Sequence, residues 1–267
     1  MIGNIVSLYT RARAALPLAV FLLFLNTARS VTGGLDSTTL LCGLSFWALV
    51  QLSYIYDSLF RTREDAVNLP GTPEGTGRTW PVFAAALVPA VYIARLGFWP
   101  MIVIALLIIP FYSDPSMSGR RLKSIAVVKS LVSVLNFWLV GVMVPVLLKY
   151  DFSFGLLLSV LRSSLLLLGF VFLLTVLLDV RDVDGDREGG ILTLPVLLGP
   201  RATAAGIGVL LTAGGVYLYR AGMAPAAFST WLTAGFAFAA MRRPGRAFYE
   251  WLLAAFNLVL AARLLRA

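Results

Sequence analysis

Apolar residues run along this chain in long blocks interrupted by short charged or glycine- and proline-bearing segments, with no period-two alternation of the kind a half-buried strand requires. Nine blocks approach the roughly 20 residues that carry a helix across a bilayer core. They run approximately Ala14–Asn26, Thr38–Tyr56, Thr79–Ala94, Phe98–Tyr112, Ile125–Leu148, Phe152–Leu178, Ala202–Tyr219, Pro225–Met241 and Phe248–Leu265. The third and fourth are separated only around Arg95–Gly97. Two spans are expected there, because a single 34-residue helix would contain Pro81, Pro89, Gly97 and Pro100. The pattern predicts an all-α integral membrane protein: one transmembrane domain over residues 1–267, with nine helices in a bundle.

Composition agrees, with 59% hydrophobic residues and only 13% charged, about half the usual charged share of soluble domains. The net charge is +9. With nine spans, fifteen of the 22 Lys and Arg residues fall on one side and six on the other, with Arg162 inside a span. The positive-inside rule then puts the N-terminus in the cytoplasm. Ten of the thirteen acids share the cytoplasmic side, a bias that rule does not require. The chain has no histidine and one cysteine, Cys42, which excludes an internal disulfide, a Cys/His zinc site and the usual catalytic triads. Carboxylates, Lys, Arg, Tyr and a hard metal ion are left to carry any chemistry.

The acids gather where the second and sixth spans leave the membrane. In YIYDSLFRTREDAVNLPGTP, residues 54–73, Asp57, Arg61 and Asp65 recur at i, i+4 and i+8; in DVRDVDGDREGGILTLPVLLG, residues 179–199, Asp179, Asp182 and Asp186 recur at i, i+3 and i+7. Each set shares a helix face. Carboxylates one turn apart repel unless a cation lies between them. Mg²⁺ prefers oxygen and is typically held by one or two carboxylates plus substrate phosphates, so facing acidic helices at the mouth of an apolar bundle imply a diphosphate head between them. A lipid-like tail would lie among the helices. The alternative is a pair of solvated helix ends, with Asp57 and Asp65 paired to Arg61, and Asp182 to Arg181 or Arg187.

The segment DVRDVDGDREGGILTLPVLLG resembles the second aspartate-rich motif of the UbiA-type intramembrane prenyltransferase superfamily, including its trailing TLPVLLG. The likeness extends over most of the chain, from the acidic motif after the second span to the one after the sixth. It implies a helical bundle with a lateral opening to lipid, a cytoplasmic cap over the polar mouth, and Mg²⁺ between the motifs, held by Asp57, Asp65, Asp179, Asp182 and Asp186. The first motif departs from the family: anchored on DAVNLP, Arg61 stands where the middle metal ligand belongs and Asp57 where an Asn is usual. Arg cannot coordinate Mg²⁺ but can grip phosphate in a bidentate fork. The basic loop YSDPSMSGRRLKSIAVVK, residues 112–129, resembles the family loop that brings Tyr and Lys to the diphosphate. The diphosphate-binding set expected from these matches is Arg61, Asn68, Tyr112, Arg121, Lys123 and Lys129.

Tyr54, Asn136, Phe137 and Trp138 flank the expected chamber, where aromatic faces can stabilise a carbocation and an intramembrane Asn faces a cavity. The function so implied is a Mg²⁺-dependent membrane enzyme that ionises an isoprenyl diphosphate and transfers the prenyl cation to a lipophilic or aromatic acceptor. Intramolecular capture, as in the superfamily's terpene cyclases, is the alternative, and a non-catalytic lipid-binding protein is a third. No Walker loop and no nucleic-acid-binding module is present in the sequence.

Overall fold

The computed structural model describes residues 14–59, 67, 80–113, 125, 127–242 and 244–266. The described residues are helical, with no strand among them. Helices α1 (Ala15–Thr32), α2 (Ser37–Leu59) and α3 (Trp80–Ile93) are followed by a π-helical turn at Ala94–Phe98 and then α4 (Trp99–Ser113). Helix α5 (Val128–Trp138) passes through a second π turn, Leu139–Met143, into α6 (Val144–Leu147). There follow α7 (Phe154–Glu188), the short α8 (Leu194–Leu198), α9 (Pro200–Arg220), α10 (Ala224–Ala240) and α11 (Arg246–Arg266).

Seven stretches are long and apolar enough to cross a membrane, with Trp80–Ile109 counted as one. That count differs from the expected nine at two places. Helix α10, at 17 residues, falls just short on length, although it packs along α9 as the second arm of a hairpin turned at Gly222. Trp80–Ile109 is interrupted at Gly97, whose φ of 88° and ψ of 0° only glycine adopts cheaply. The chain reverses there. Phe83 near the start of α3 meets Tyr56 near the end of α2, with ring centroids 5.7 Å apart, and Phe98 after the turn meets Phe46 at 5.9 Å, so α3 descends antiparallel to α2. Helix α4 then climbs back, bringing Tyr112 within electrostatic reach of Asp57 and Lys129.

Helix α7 is the spine of the bundle. Its first half joins a core with α1, α2, α5 and α6 that includes Val20, Phe24, Phe46, Val144 and Val171; its second half joins another with α9, α10 and α11 that includes Leu177, Ala204, Ala237 and Leu252. The alanines let those last helices approach closely. At 35 residues α7 is about 52 Å long, far more than a bilayer core of roughly 30 Å. The sixth apolar block ends at Leu178, and the helix continues through the acidic motif to Glu188, as the helical spacing of its aspartates implies. Gly189-Gly190 then stops it: Gly190 takes φ 68°, and the amides of Gly190 and Ile191 donate to the carbonyls of Arg187 and Asp186, with Ile191 fully buried beneath. The outward surface is apolar, with Val88, Leu107, Val209 and Leu258 all more than half exposed, as suits lipid contact. The loops expected to form the cytoplasmic cap lie outside the described residues.

Candidate functional site

A cavity of about 460 Å³ opens at the end of the bundle where α2 and α4 finish and α5 and α11 begin. Of the residues singled out from the sequence, Asp57, Tyr112, Lys129, Asp179 and Asp182 line its polar end, with Tyr54 and Asn136 deeper in. Four residues that the sequence reading did not select as site residues join them: Ser130, Arg181, Arg246 and Glu250. Asp65, Arg61, Asn68, Arg121 and Lys123 lie outside the described residues.

The three carboxylates of α7 were expected to act together from one face, and they divide. Asp179 and Asp186, seven residues apart, nearly eclipse one another along a helix, whereas Asp182 is rotated by about 60° from Asp179. The Lys129 ammonium lies 3.0 and 3.1 Å from the two oxygens of Asp186 and 3.1 Å from Oδ1 of Asp179. The remaining oxygen of Asp179 accepts a hydrogen bond from the Ser130 hydroxyl at 2.8 Å. Both carboxylates are buried, at 4% and 0% exposure. Asp182 instead takes a bidentate fork from its neighbour Arg181, with Nε and Nη2 each 2.7 Å from a carboxylate oxygen. Across the cavity Arg246 pairs with Glu250, four residues along α11, at 3.0 Å.

Among the described residues, four carboxylates, Asp57, Asp179, Asp182 and Glu250, and three cations, Lys129, Arg181 and Arg246, line this end, and Asp186 lies buried behind Lys129. All the donors are oxygens, and Asp179 and Asp186 already share a single cationic group, which suits a hard ion held by two carboxylates and completed by phosphate oxygens. Among the described residues no three acidic side chains converge on one point, so a closed protein cage is not preformed.

Away from this end the lining is apolar, formed by Phe46, Met101, Ile102, Leu139 and Val140. Ile104 on α4 and Leu135 on α5 line the cavity and are also 49% and 46% exposed, so the wall between these helices opens sideways. Phe137 and Trp138, expected in the chamber, are not among its lining. They are buried in the core on other faces of α5, and the Trp138 indole donates to the Ser164 hydroxyl of α7 at 2.8 Å. Adjacent positions on a helix point about 100° apart, so residues following Asn136 could not share its direction. Asn257 serves packing, its amide donating to the Ala15 carbonyl at 3.0 Å.

The residues missed have identifiable signals. Ser130 follows Lys129 directly, and Arg246 and Glu250 stand at i, i+4 in the first turns of the last span, where they read as an ordinary surface pair.

No protein-family profile matches the chain, and no curated protein matches it. Among solved structures it is similar to the apo structure of a UbiA homolog from Aeropyrum pernix K1, at 18% identity, with 96% of this chain and 98% of that chain covered and a TM-score of 0.63. At that identity the likeness is one of architecture, and it extends over nearly the whole length of both chains: the polypeptide has the fold of a UbiA homolog.

Proposed function

We propose that this chain is a UbiA-type intramembrane enzyme that binds an isoprenyl diphosphate, ionises its allylic C–O bond and transfers the prenyl carbocation to an acceptor. The observation that carries the reading is a single cavity with carboxylates and an ammonium at one end, an apolar remainder and a side opening toward lipid. The UbiA-homolog fold supports it. In this reading nine segments lie in the membrane, α3 and α4 counting as two and α10 as one. The N-terminus is then cytoplasmic, as is the polar mouth with a cap over it.

The diphosphate lies at the polar end, where Asp179 and Asp186, with Asp57 and Asp65 opposite, would hold Mg²⁺. When bound, Mg²⁺ supplies positive charge to the leaving diphosphate. Lys129 and Tyr112 offer an ammonium and a phenolic hydroxyl to the same oxygens, and Arg61, Asn68, Arg121 and Lys123 act from the loops. Heterolysis sends the bonding electron pair out with the diphosphate and leaves an allylic cation against Tyr54 and the apolar wall. The surrounding Ile, Leu and Val side chains exclude water, which would otherwise quench the cation. The acceptor arrives from the bilayer between α4 and α5, its electron pair forms the new bond to the allylic carbon, and the proton it loses leaves with the diphosphate.

Incubation of purified protein with allylic diphosphates and Mg²⁺, with and without lipid-extract acceptors, tests the assignment. Prenylated acceptor supports transfer. A cyclic hydrocarbon formed without acceptor would replace transfer with cyclisation, and absence of turnover with retained binding would reduce the protein to a lipid-diphosphate carrier. Two substitutions refine the site. Asp184 is exposed on the other side of α7, so Asp184→Asn is expected to leave turnover within about twofold, the range of neutral surface changes. Arg61→Asp is expected to lose most activity at every Mg²⁺ concentration, because it exchanges a phosphate-gripping cation for an anion among carboxylates. Turnover at or above wild type in a Mg²⁺ titration would remove Arg61 from the site.

A further inference from the structure

Inside a helix a serine hydroxyl ordinarily returns to a carbonyl three or four residues back, as those of Ser53, Ser133, Ser163 and Ser229 do. Ser130 does otherwise. In the first turn of α5, and only 4% exposed, it donates at 2.8 Å to Oδ2 of Asp179 on α7. The turn that delivers it begins on Val127, whose φ of 67° is a left-handed value that a β-branched residue adopts at a cost, so the surrounding contacts hold this turn where it is. Of the four carboxylate oxygens of Asp179 and Asp186, three converge on the Lys129 ammonium: both of Asp186, and Oδ1 of Asp179. Ser130 occupies the fourth. A carboxylate twists easily about the last bond of its side chain, so the Ser130 hydrogen bond decides which oxygen Asp179 turns toward the cation.

We propose that Ser130 is a positioning residue that makes this site select Mg²⁺ over Ca²⁺. The proposal rests on the polar end binding a divalent cation with a diphosphate, and deepens that reading by naming what selects the ion. Mg²⁺ demands near-octahedral geometry and takes one or two carboxylates, with waters and phosphate oxygens for the rest, whereas Ca²⁺ gathers roughly six to eight oxygens and readily takes a carboxylate by both of its own. Holding Oδ2 back leaves Asp179 with a single oxygen to offer, in a fixed direction. Without the hydroxyl the fourth oxygen is released, which favours Ca²⁺, and the direction of the first is lost, which penalises Mg²⁺. Hydrogen bonds to metal-ligating carboxylates commonly support metal affinity by about 10- to 100-fold.

The experiment measures retention of trace radiolabelled inorganic diphosphate by the detergent-solubilised protein across Mg²⁺ and Ca²⁺ titrations, for wild type, Ser130→Ala, Ser130→Thr and Ser130→Cys. Complexation of diphosphate by each ion in solution is common to all four proteins and cancels when variants are compared. Ser130→Ala is expected to raise the half-saturating Mg²⁺ concentration by about tenfold or more, with that of Ca²⁺ unchanged or lower. Ser130→Thr keeps the hydroxyl and should hold the wild-type ratio. Thermal unfolding without metal shows which variants are folded; if Ser130→Ala is not, Ser130→Cys, of similar volume and a far weaker donor, gives the same reading. Equal weakening for both ions would make Ser130 a packing residue, and an unchanged profile would remove it from the site. Either result overturns the proposal, as does a wild type that holds diphosphate more readily with Ca²⁺ than with Mg²⁺. A folded wild type that retains no diphosphate with either ion defeats the diphosphate reading itself, and the inference falls with it.

Discussion

Replacing Asp186 or Asp179 by Asn is expected to lower diphosphate release from an allylic substrate by more than about a hundredfold, the loss typical of removing one preorganised electrostatic contact in a buried site. Both carboxylates are almost wholly out of solvent and share one cationic partner, so each supplies charge that no neighbour replaces. The Asn variants keep side-chain shape, which separates lost charge from lost packing. Asp182→Asn is expected to cost less, because its carboxylate is committed to the guanidinium of Arg181, and removing it frees a cation beside the diphosphate. Steady-state release measured at saturating Mg²⁺ orders the three variants. Equal activity of Asp182→Asn and Asp186→Asn would contradict the division of the motif.

Lys129→Met is expected to lower both stability and turnover. Without the ammonium, Asp179 and Asp186 face each other in a buried site with only the Ser130 hydroxyl as a direct polar partner among these contacts. Breaking a buried ion pair by removing one member commonly costs about 3–5 kcal/mol, since the other charge stays buried. A divalent cation that binds between the carboxylates would repay part of that, by the linkage between ligand binding and unfolding. Thermal unfolding of the detergent-solubilised variant should therefore respond to added Mg²⁺ more strongly than wild type does. In wild type the ammonium competes for the same oxygens. A variant as stable as wild type without Mg²⁺, and equally insensitive to it, would show that Lys129 does not offset the charge of these two acids.

Much of this arrangement is written in local chemistry. The apolar blocks locate every long helix, because burying twenty apolar residues in lipid outweighs most other preferences. The Gly97 reversal is legible from Pro81, Pro89, Gly97 and Pro100, which together forbid one long rod. Spacing also put Asp179, Lys129 and Asp57 at one end, since each terminates or begins a block on the same side. The failures concern direction around a helix. Phe137 and Trp138 were grouped with Asn136 by proximity in sequence, although the 100° step between neighbours turns them into the core. The pairing of Asp182 was open between Arg181 and Arg187 in the alternative of solvated helix ends, and the bidentate fork falls to Arg181. Arg246 and Glu250 reach the cavity only because α11 packs against α1 and α7, a tertiary contact with no trace in local pattern. The helical spacing of Asp179, Asp182 and Asp186 carried α7 beyond its apolar block, and the backbone runs on to the Gly189-Gly190 stop.

The central claim is that the polar end of the cavity binds a diphosphate together with a divalent cation. Calorimetric titration of inorganic diphosphate into the purified protein, with and without Mg²⁺, tests it without relying on any acceptor, prenyl length or turnover. The account predicts saturable binding in the presence of Mg²⁺, much weaker binding in its absence, and loss of the Mg²⁺ dependence when Asp179 and Asp186 are both changed to Asn. Binding of equal strength with and without Mg²⁺, or no binding by a folded wild-type protein, would contradict it.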